Sequence, residues 1–447
     1  MSLNRLFIGL TLVALVFVAF IAGAVITRFE LFPYGYLKEP FVAAEALFVQ
    51  QTGTENLWHI GAKPPAEEDV ASPAVRDQEA GVGRYDPERA FNGYTIYTPV
   101  RWQFPLRLID MQGNAVHEWQ MPLEELTGKR DAGMDINPSS KRLTVAHLRL
   151  LPNGDLLAVI SIAAYTPWGW GVVKLDKDSN LLWEYKKPAH HDLDVDSDGN
   201  IYALLHRVIR EPWPGLERIA TPFLDDQVAV LGPDGKEQKV VSVLEAIQNS
   251  EYESLLMYAD PDQGKGDLLH VNSITWLDAE AASLFPNATE GNVLISIRQL
   301  DVLAVVDLDT PGVRWAVRGP WRLQHDPDVL ADGQLLLFDN RGDMKNGGTS
   351  RILEFDPRSL EISWEYPGDQ DEVLYTSIYG SQQRLENGNT LISESNNGRI
   401  LEVTRSGDVV WEYKIPERKL NDKGDLVSTV VFAERFRRKS LPFLQVP

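Results

Sequence analysis

From residue 93 onward, apolar and polar residues alternate over runs of about four to eight, each closed by a turn signal. A period of two sends successive side chains to opposite faces, so the runs predict strands. One phrase recurs: an apolar strand, an aspartate or its equivalent, a turn, and a second strand often ending in Trp-Glu-Tyr. It reads LRLIDMQGNAVHEW, VVKLDKDSNLLWEY, VAVLGPDGKEQKVV, LAVVDLDTPGVRWAV, RILEFDPRSLEISWEY and RILEVTRSGDVVWEY, with Asp110, Asp176, Gly232, Asp307, Asp356 and Thr404 at matching places. All copies but the first follow a hairpin phrase: LPNGDLLAVIS, VDSDGNIYALL, EGNVLISIR, LADGQLLLFD and LENGNTLISES. Asn-Gly and Asp-Gly between apolar strands are strong hairpin signals.

Two hairpins per repeat make four strands. The expected fold is therefore all-β, a six-bladed β-propeller with four-stranded blades over residues 91–447. The first repeat lacks its front phrase. The C-terminal run STVVFA, residues 428–433, is expected to supply the missing strand and close the ring, leaving no exposed sheet edge. Residues 243–266 have helical character and are expected to form a surface insertion.

The N-terminus has a different texture. Residues 6–26 carry no charge, and Thr11 is their one polar side chain. As a helix this run would span roughly 31 Å, enough to cross a bilayer. The expectation is a transmembrane anchor over residues 1–28, since a cleaved signal peptide has a shorter apolar core, about 7–15 residues. The alternative is cleavage at Ala22-Gly23-Ala24. Residues 29–90 are expected to hold a short juxtamembrane helix near 41–48, then a linker or strap rich in Pro, Ala, Glu and Asp. A short N-terminal tail before a large domain favours export. The expected location is the inner (cytoplasmic) membrane, single-pass, with the propeller in the periplasm or outside the cell.

Charge narrows the partners. The formal net charge of -21 argues against nucleic acid and against electrostatic docking on an anionic leaflet. With no cysteine, disulfides, thiolate nucleophiles and cysteine metal sites are excluded. The run DVDSDG at 194–199 resembles half a calcium loop, but the position of the bidentate glutamate is Leu205, so a plain hairpin turn is expected.

Candidate chemistry emerges from the repeat itself. Counted back by one interval from the turn glycines Gly154, Gly199, Gly333 and Gly388 stand Ala146, His191, His325 and Gly380. His270 opens the corresponding strand of the fourth repeat, and His147 lies one place from Ala146. Equivalent positions on innermost strands surround the axis of a propeller, so His191, His270 and His325 are expected to converge at one end of the channel. Residues following the second strand return to that face: Arg298, the pair His206-Arg207, and the aromatic residues Tyr165, Trp168 and Trp170. Asn272 points to the same side as His270 and adds an amide donor. A guanidinium fork with imidazole and amide donors suits a sulfate or phosphate group. His59, His117 and the Trp-Glu-Tyr phrases are expected to be structural. The pairs His191-Asp192 and His325-Asp326 have a structural alternative, tying blade to blade.

These residues carry a resemblance. HHDLDVDSDGN, LLHVNSI, QHDPDVLADGQLLLFDN, YGSQQRLENGNTLISESNNGRILEVTRSGDVVWEY and the opening GYTIYTP are similar to the bacterial arylsulfotransferase family, over roughly residues 93–436. The resemblance implies a six-bladed propeller that moves sulfuryl from an aryl sulfate donor to a phenolic acceptor, without a nucleotide donor, through a sulfated histidine. It implies His325 as nucleophile and His191 as a second catalytic histidine, with His190 the rival for that register. His270 and Asn272 match the family's H-x-N pair, and Arg298 matches its sulfate-binding arginine. Tyr165 and Trp168 are expected to line the substrate. No metal or diffusible cofactor is implied. Enterobacterial members carry a disulfide, impossible here, and an N-terminal β-sandwich used in pairing, so the oligomeric state stays open. Two rival readings remain: a three-histidine metalloenzyme, and a non-catalytic propeller binding sulfated or acidic ligands.

Overall fold

Strand Ile201–Ile209 shows why the chain folds into blades. Its residues Ile201, Ala203 and Leu205 pack against the preceding sheet, while Tyr202 and Leu204 pack against the following one. Both faces are buried, so the run is apolar almost throughout. A sheet made of such strands must be covered on both sides, and a closed ring of sheets meets that demand without an end.

The computed structural model describes residues 79–99, 105–126, 140–162, 168–259, 266–343, 347–368, 373–421 and 424–445, together with 17, 21, 72 and 73. The chain divides into two compact units, residues 1–61 and 62–447. The expected membrane anchor and juxtamembrane helix lie, but for residues 17 and 21, outside the described residues. Among the described residues no helix is long and apolar enough to cross a membrane.

Six sheets form the ring. Blade 1 runs outward from Val430–Arg437 through Gly93–Pro99 and Leu106–Ile109 to Ala115–Trp119. Its innermost strand thus comes from the C-terminus, and Phe432 pairs with Thr98 across the closure, as the missing front phrase predicts. Blade 2 holds Leu143–Leu150, Leu156–Ile162, Gly169–Leu175 and Leu181–Tyr185. Blade 3 holds Ala189–Val195, Ile201–Ile209, Phe223–Leu231 and Glu237–Ser242. Blade 4 holds Val271–Trp276, Val293–Ile297, Val302–Asp307 and Gly312–Arg318. Blade 5 holds His325–Val329, Leu335–Asp343, Thr349–Phe355 and Ile362–Tyr366. Blade 6 holds Ser381–Arg384, Thr390–Glu394, Arg399–Val403 and Val409–Lys414. Strand Gly81–Tyr85, from the stretch read as linker or strap, adds a fifth, outermost strand to blade 6. The insertion after blade 3 is helical at Val243–Gln248 and Glu253–Tyr258.

Six apolar clusters occupy the six blade interfaces. Leu157, Val159 and Val172 meet Leu193 and Ala229 between blades 2 and 3; Leu336 and Phe338 meet Ile392 and Leu401 between blades 5 and 6. The recurring aspartates hold turns. Asp110, Asp176 and Asp196 each accept backbone N–H bonds from residues two and four places on. The run 194–199 is such a turn: Asp196 caps it, and Asp194 instead bonds Arg149 and the backbone N–H of Trp276.

Innermost strands would be open edges were it not for a second device. Asp192 accepts from the Ile274 N–H at 2.9 Å, Asp326 from Gln382 at 3.0 Å, and Gln383 from Arg435 at 2.8 Å. Each bond crosses from one blade to the next. Blade tying at these places therefore falls to Asp192, Asp326 and Gln383 rather than to His191 and His325.

Candidate functional site

Two or three consecutive residues of each blade, at or beside its innermost strand, line one central cavity. Blade 2 contributes His147, blade 3 His191, blade 4 Asn272, blade 5 His325, blade 6 Gly380 and blade 1 Phe432. The cavity has about 40 Å³ for the centres of water molecules, room for roughly three waters or one small tetrahedral anion. Gly380 has φ +102°, and a Cβ there would sit 2.8 Å from the Phe338 ring, so no side chain replaces it at this level.

Backbone irregularities aim the histidines. The innermost strands of blades 2, 3, 4 and 5 each carry a bulge, between Val145 and His147, Ala189 and Leu193, Val271 and Ser273, and His325 and Asp328. His191 and His270 adopt left-handed φ values of 53° and 51°. Such conformations cost of order 1–3 kcal/mol each and persist where the surroundings impose them. The bulge at Val145–His147 is also why His147, one place off in the sequence alignment, reaches the cavity.

His325 is held from behind. Its Nδ1 lies 2.8 Å from Asn340 Oδ1 and 3.1 Å from the Leu323 carbonyl. Asn340 Nδ2 donates to the carbonyls of Thr376 and Tyr379, which fixes its oxygen toward the ring. Both partners of Nδ1 are acceptors, so Nδ1 carries the proton and Nε2 keeps its lone pair. Burial, then the Arg298 guanidinium, holds the His325 pKa at about 3. Arg298 follows strand Val293–Ile297 as predicted, and burial lowers its own pKa. Its guanidinium makes no hydrogen bond or ion pair with any described residue. Asp301 pairs instead with Arg318 at 3.3 Å and Asp267 with His270 Nδ1 at 2.5 Å.

His191 lies beside His270, ring centroids 4.9 Å apart. Trp168 stands edge-on to His191, donating from Nε1 to its Nδ1 at 3.3 Å, with its ring 4.9 Å from His270. Since indole only donates, His191 Nδ1 is an acceptor and the ring's proton sits on Nε2. Burial, then the neighbouring imidazoles, drives the His191 pKa well down. One amide hydrogen of Asn272 is committed to the Gln324 carbonyl at 2.8 Å, which leaves the other to serve the cavity.

Other predicted residues fall elsewhere. His190 is fully buried behind His191, its Nδ1 2.8 Å from His191 Nδ1, and does not line the cavity; His270, Arg298 and Trp168 do not line it either, but stand around His191 and His325. Trp170 is a core residue that donates to the Leu126 carbonyl. Arg207 is turned to Asp225 at 2.7 Å and covers Trp213. Tyr165 and His59 lie outside the described residues. His117 bonds the Lys177 carbonyl and is structural. The three channel histidines do not form a group tight enough to share an ion; among the described residues the trio that does is His190, His206 and Asp226.

Sequence reasoning missed Asn340 and the full role of His147, whose Nε2 lies 3.1 Å from Asp192 and whose pKa burial lowers to about 3. The phrase LLLFDN contained the only sign of Asn340, a polar residue after the apolar run of the second strand, the same number of residues past its turn glycine as Arg298.

The sequence model of a family described as Arylsulfotransferase (ASST) matches residues 147–415, more than half of the chain. Among curated proteins none matches. Similar solved structures include a protein of unknown function from Bacteroides caccae, at 12% identity and TM-score 0.49, covering 78% of this chain and 100% of that one. A streptogramin B lyase is 13% identical with TM-score 0.40, covering 82% and 97%. A virginiamycin B lyase from Staphylococcus aureus is 13% identical with TM-score 0.35, covering 68% and 87%.

Proposed function

The chain belongs to the arylsulfotransferase family, and on that premise we propose that it transfers a sulfuryl group from an aryl sulfate to a phenol through a sulfated His325. The observation that carries this reading is a neutral imidazole in the wall of one small cavity, its Nε2 lone pair unengaged and its pKa lowered by burial and by the nearby Arg298 guanidinium, which has no partner among the described residues.

In the first half-reaction His325 Nε2 attacks sulfur, the N–S bond forms, and the S–O bond to the aryl group breaks. Arg298 neutralises the sulfonate oxygens. Asn272 and the His270 ring, oriented by Asp267, complete their cradle. His191 Nε2–H faces the departing oxygen, which leaves as phenolate. Asn340 and Leu323 accept the Nδ1–H, which becomes more acidic once Nε2 carries sulfuryl. In the second half, a phenol oxygen attacks the same sulfur, the N–S bond breaks, and His325 returns neutral. The acceptor's proton passes to the released phenolate or to water. Trp168 supplies the apolar wall for the ring of either substrate. No step calls on a metal or diffusible cofactor.

The test is mass spectrometry of the protein after exposure to a chromogenic aryl sulfate without acceptor. Sulfate on His325, absent in His325→Asn, supports the reading. Binding of the sulfate ester with no chromophore release and no modified histidine would favour a non-catalytic anion-binding propeller.

The same reading includes location. The uncharged run 6–26 supports a single-pass anchor in the inner membrane, with the propeller on the periplasmic or outer side. Protease accessibility in intact spheroplasts checks it; a protected propeller would reverse the orientation.

A further inference from the structure

Behind the cavity wall, three blade-3 side chains converge. His190 lies on the innermost strand, His206 on the second and Asp226 on the third. All three are at most 4% exposed. His190 Nε2 is 3.3 Å from Asp226 Oδ1, and His206 Nε2 is 3.5 Å from the same oxygen. None of these three atoms has a hydrogen-bond partner, whereas the other carboxylate oxygen of Asp226 accepts from the Val271 N–H at 2.9 Å.

The tautomers follow from the neighbours. Trp168 donates to His191 Nδ1, so that nitrogen is an acceptor and the 2.8 Å contact from His190 Nδ1 must carry the His190 proton. In neutral His190 the remaining nitrogen, Nε2, then presents a lone pair to a lone pair of Asp226. Electron pairs facing each other at this separation, cut off from water, call for a proton or a metal ion between them.

Zinc bonds of about 2.0–2.2 Å to nitrogen and oxygen place ligand atoms about 3.3–3.5 Å apart along a tetrahedral edge. The two contacts have that length, and all three ligand atoms lie within 4.8 Å of one another. The His190 and His206 rings are stacked, centroids 3.7 Å apart and 15° from parallel, so binding requires the His206 ring, neither of whose nitrogens has a hydrogen-bond partner among the described residues, to turn its lone pair onto the ion. Two imidazoles with one carboxylate suit a borderline ion such as zinc rather than calcium or magnesium. His190 also shows the habit of a metal-bound histidine, giving its other N–H to a fixed acceptor, here the ring of His191.

We propose that His190, His206 and Asp226 bind one divalent transition-metal ion, zinc first, as a buried structural centre directly behind the sulfuryl-transfer site. The ion fixes His190, and His190 in turn holds the tautomer and orientation of His191. It touches neither substrate nor the reacting atoms.

The experiment is elemental analysis of the full-length protein, purified in detergent without chelator or histidine tag, together with the visible spectrum after cobalt exchange. About one equivalent of zinc surviving gel filtration, the d–d absorption of tetrahedral cobalt, and loss of both in His206→Gln and Asp226→Asn support the centre. Metal below about a tenth of an equivalent, even after dialysis against zinc, with no cobalt spectrum in the unsubstituted protein, overturns it and leaves a proton network there. The unsubstituted protein decides the matter even if the variants fold poorly. Neither readout depends on turnover, and His325→Asn is expected to retain the metal while losing transfer, so failure here and failure of the proposed reaction are distinguishable.

Discussion

Asn340 Oδ1 lies 2.8 Å from His325 Nδ1, and the amide that carries it is itself anchored to the Thr376 and Tyr379 carbonyls. A second strand thus decides which nitrogen of a first-strand histidine keeps its lone pair, the nitrogen that attacks in the proposed reaction. Replacing Asn340 with Ala leaves only the longer Leu323 carbonyl contact, 3.1 Å, to hold the Nδ1–H tautomer. We expect kcat to fall, by at most the roughly 10⁴-fold that a wrong tautomer costs a catalytic histidine, with the donor KM changed by less than about threefold. Steady-state kinetics on a chromogenic aryl sulfate, beside a thermal melt that confirms folding, would show it; an unchanged kcat removes Asn340 from the machinery.

His325 is held neutral to about pH 3, far below the 6.5 of a free histidine. Its folded-state pKa lies below its unfolded one, so the unfolded chain takes up the proton first. The stability this residue allows is complete above about pH 6.5 and is lost as pH falls toward 3. His325→Asn has no such proton to take up. The variant is therefore expected to lose less stability than the parent between pH 6 and pH 4, read by urea melts at each pH. Nitrogen-15 spectra of labelled histidine should show one ring that stays in its Nδ1–H form across that range. A ring titrating near 6.5 at this position contradicts the assignment.

Arg298 has no carboxylate partner among the described residues, and its charge sits in a partly desolvated place. A charge-assisted contact to an anion is worth about 1.5–3 kcal/mol, or roughly 10- to 150-fold in affinity. Arg298→Met is expected to weaken inorganic sulfate binding by that factor while leaving the melting temperature without ligand unchanged or raised, since an unpaired buried cation is removed. Sulfate titration followed by thermal shift provides the check, and equal protection of both proteins would place the anion elsewhere.

Ring closure rests on more than strand pairing. Arg435, on the C-terminal strand, is fully enclosed; it pairs with Glu402 of blade 6, covers Trp411 at 4.2 Å, and bonds Thr95 at 2.8 Å. Removing one partner strands a buried charge, at a cost of about 3–5 kcal/mol. Arg435→Met and Glu402→Leu should each destabilise on that scale, and the double variant by clearly less than their sum. Denaturant melts of the three variants test this; additive losses mean the pair is not coupled.

The fold was legible because a closed ring of sheets repeats one physical requirement. The middle strands of each blade are buried on both faces, four of the five front hairpins turn on Asn-Gly or Asp-Gly, and the missing front phrase at one end matches a surplus strand at the other. The site was partly legible for the same reason: repeat position marked His191 and His325, and strand order marked Arg298. His190 and Trp170 went astray because alternation is broken there. A bulge turns His191 inward and His190 back, and Trp170 sits in the register break between the Ile160–Gly171 and Ser161–Gly169 pairs.

What the sequence alone determined, then, is the set of modules and which blade each histidine belongs to, because both follow from periodicity along the chain. What only the tertiary structure decided is which nitrogen of each ring holds the proton, which charges stand unpaired, and which side chains meet behind the cavity. Those depend on contacts such as Asn340 with His325 and His206 with Asp226, where a few tenths of an ångström separate a hydrogen bond from a lone pair without one, and no spacing along the chain encodes that difference.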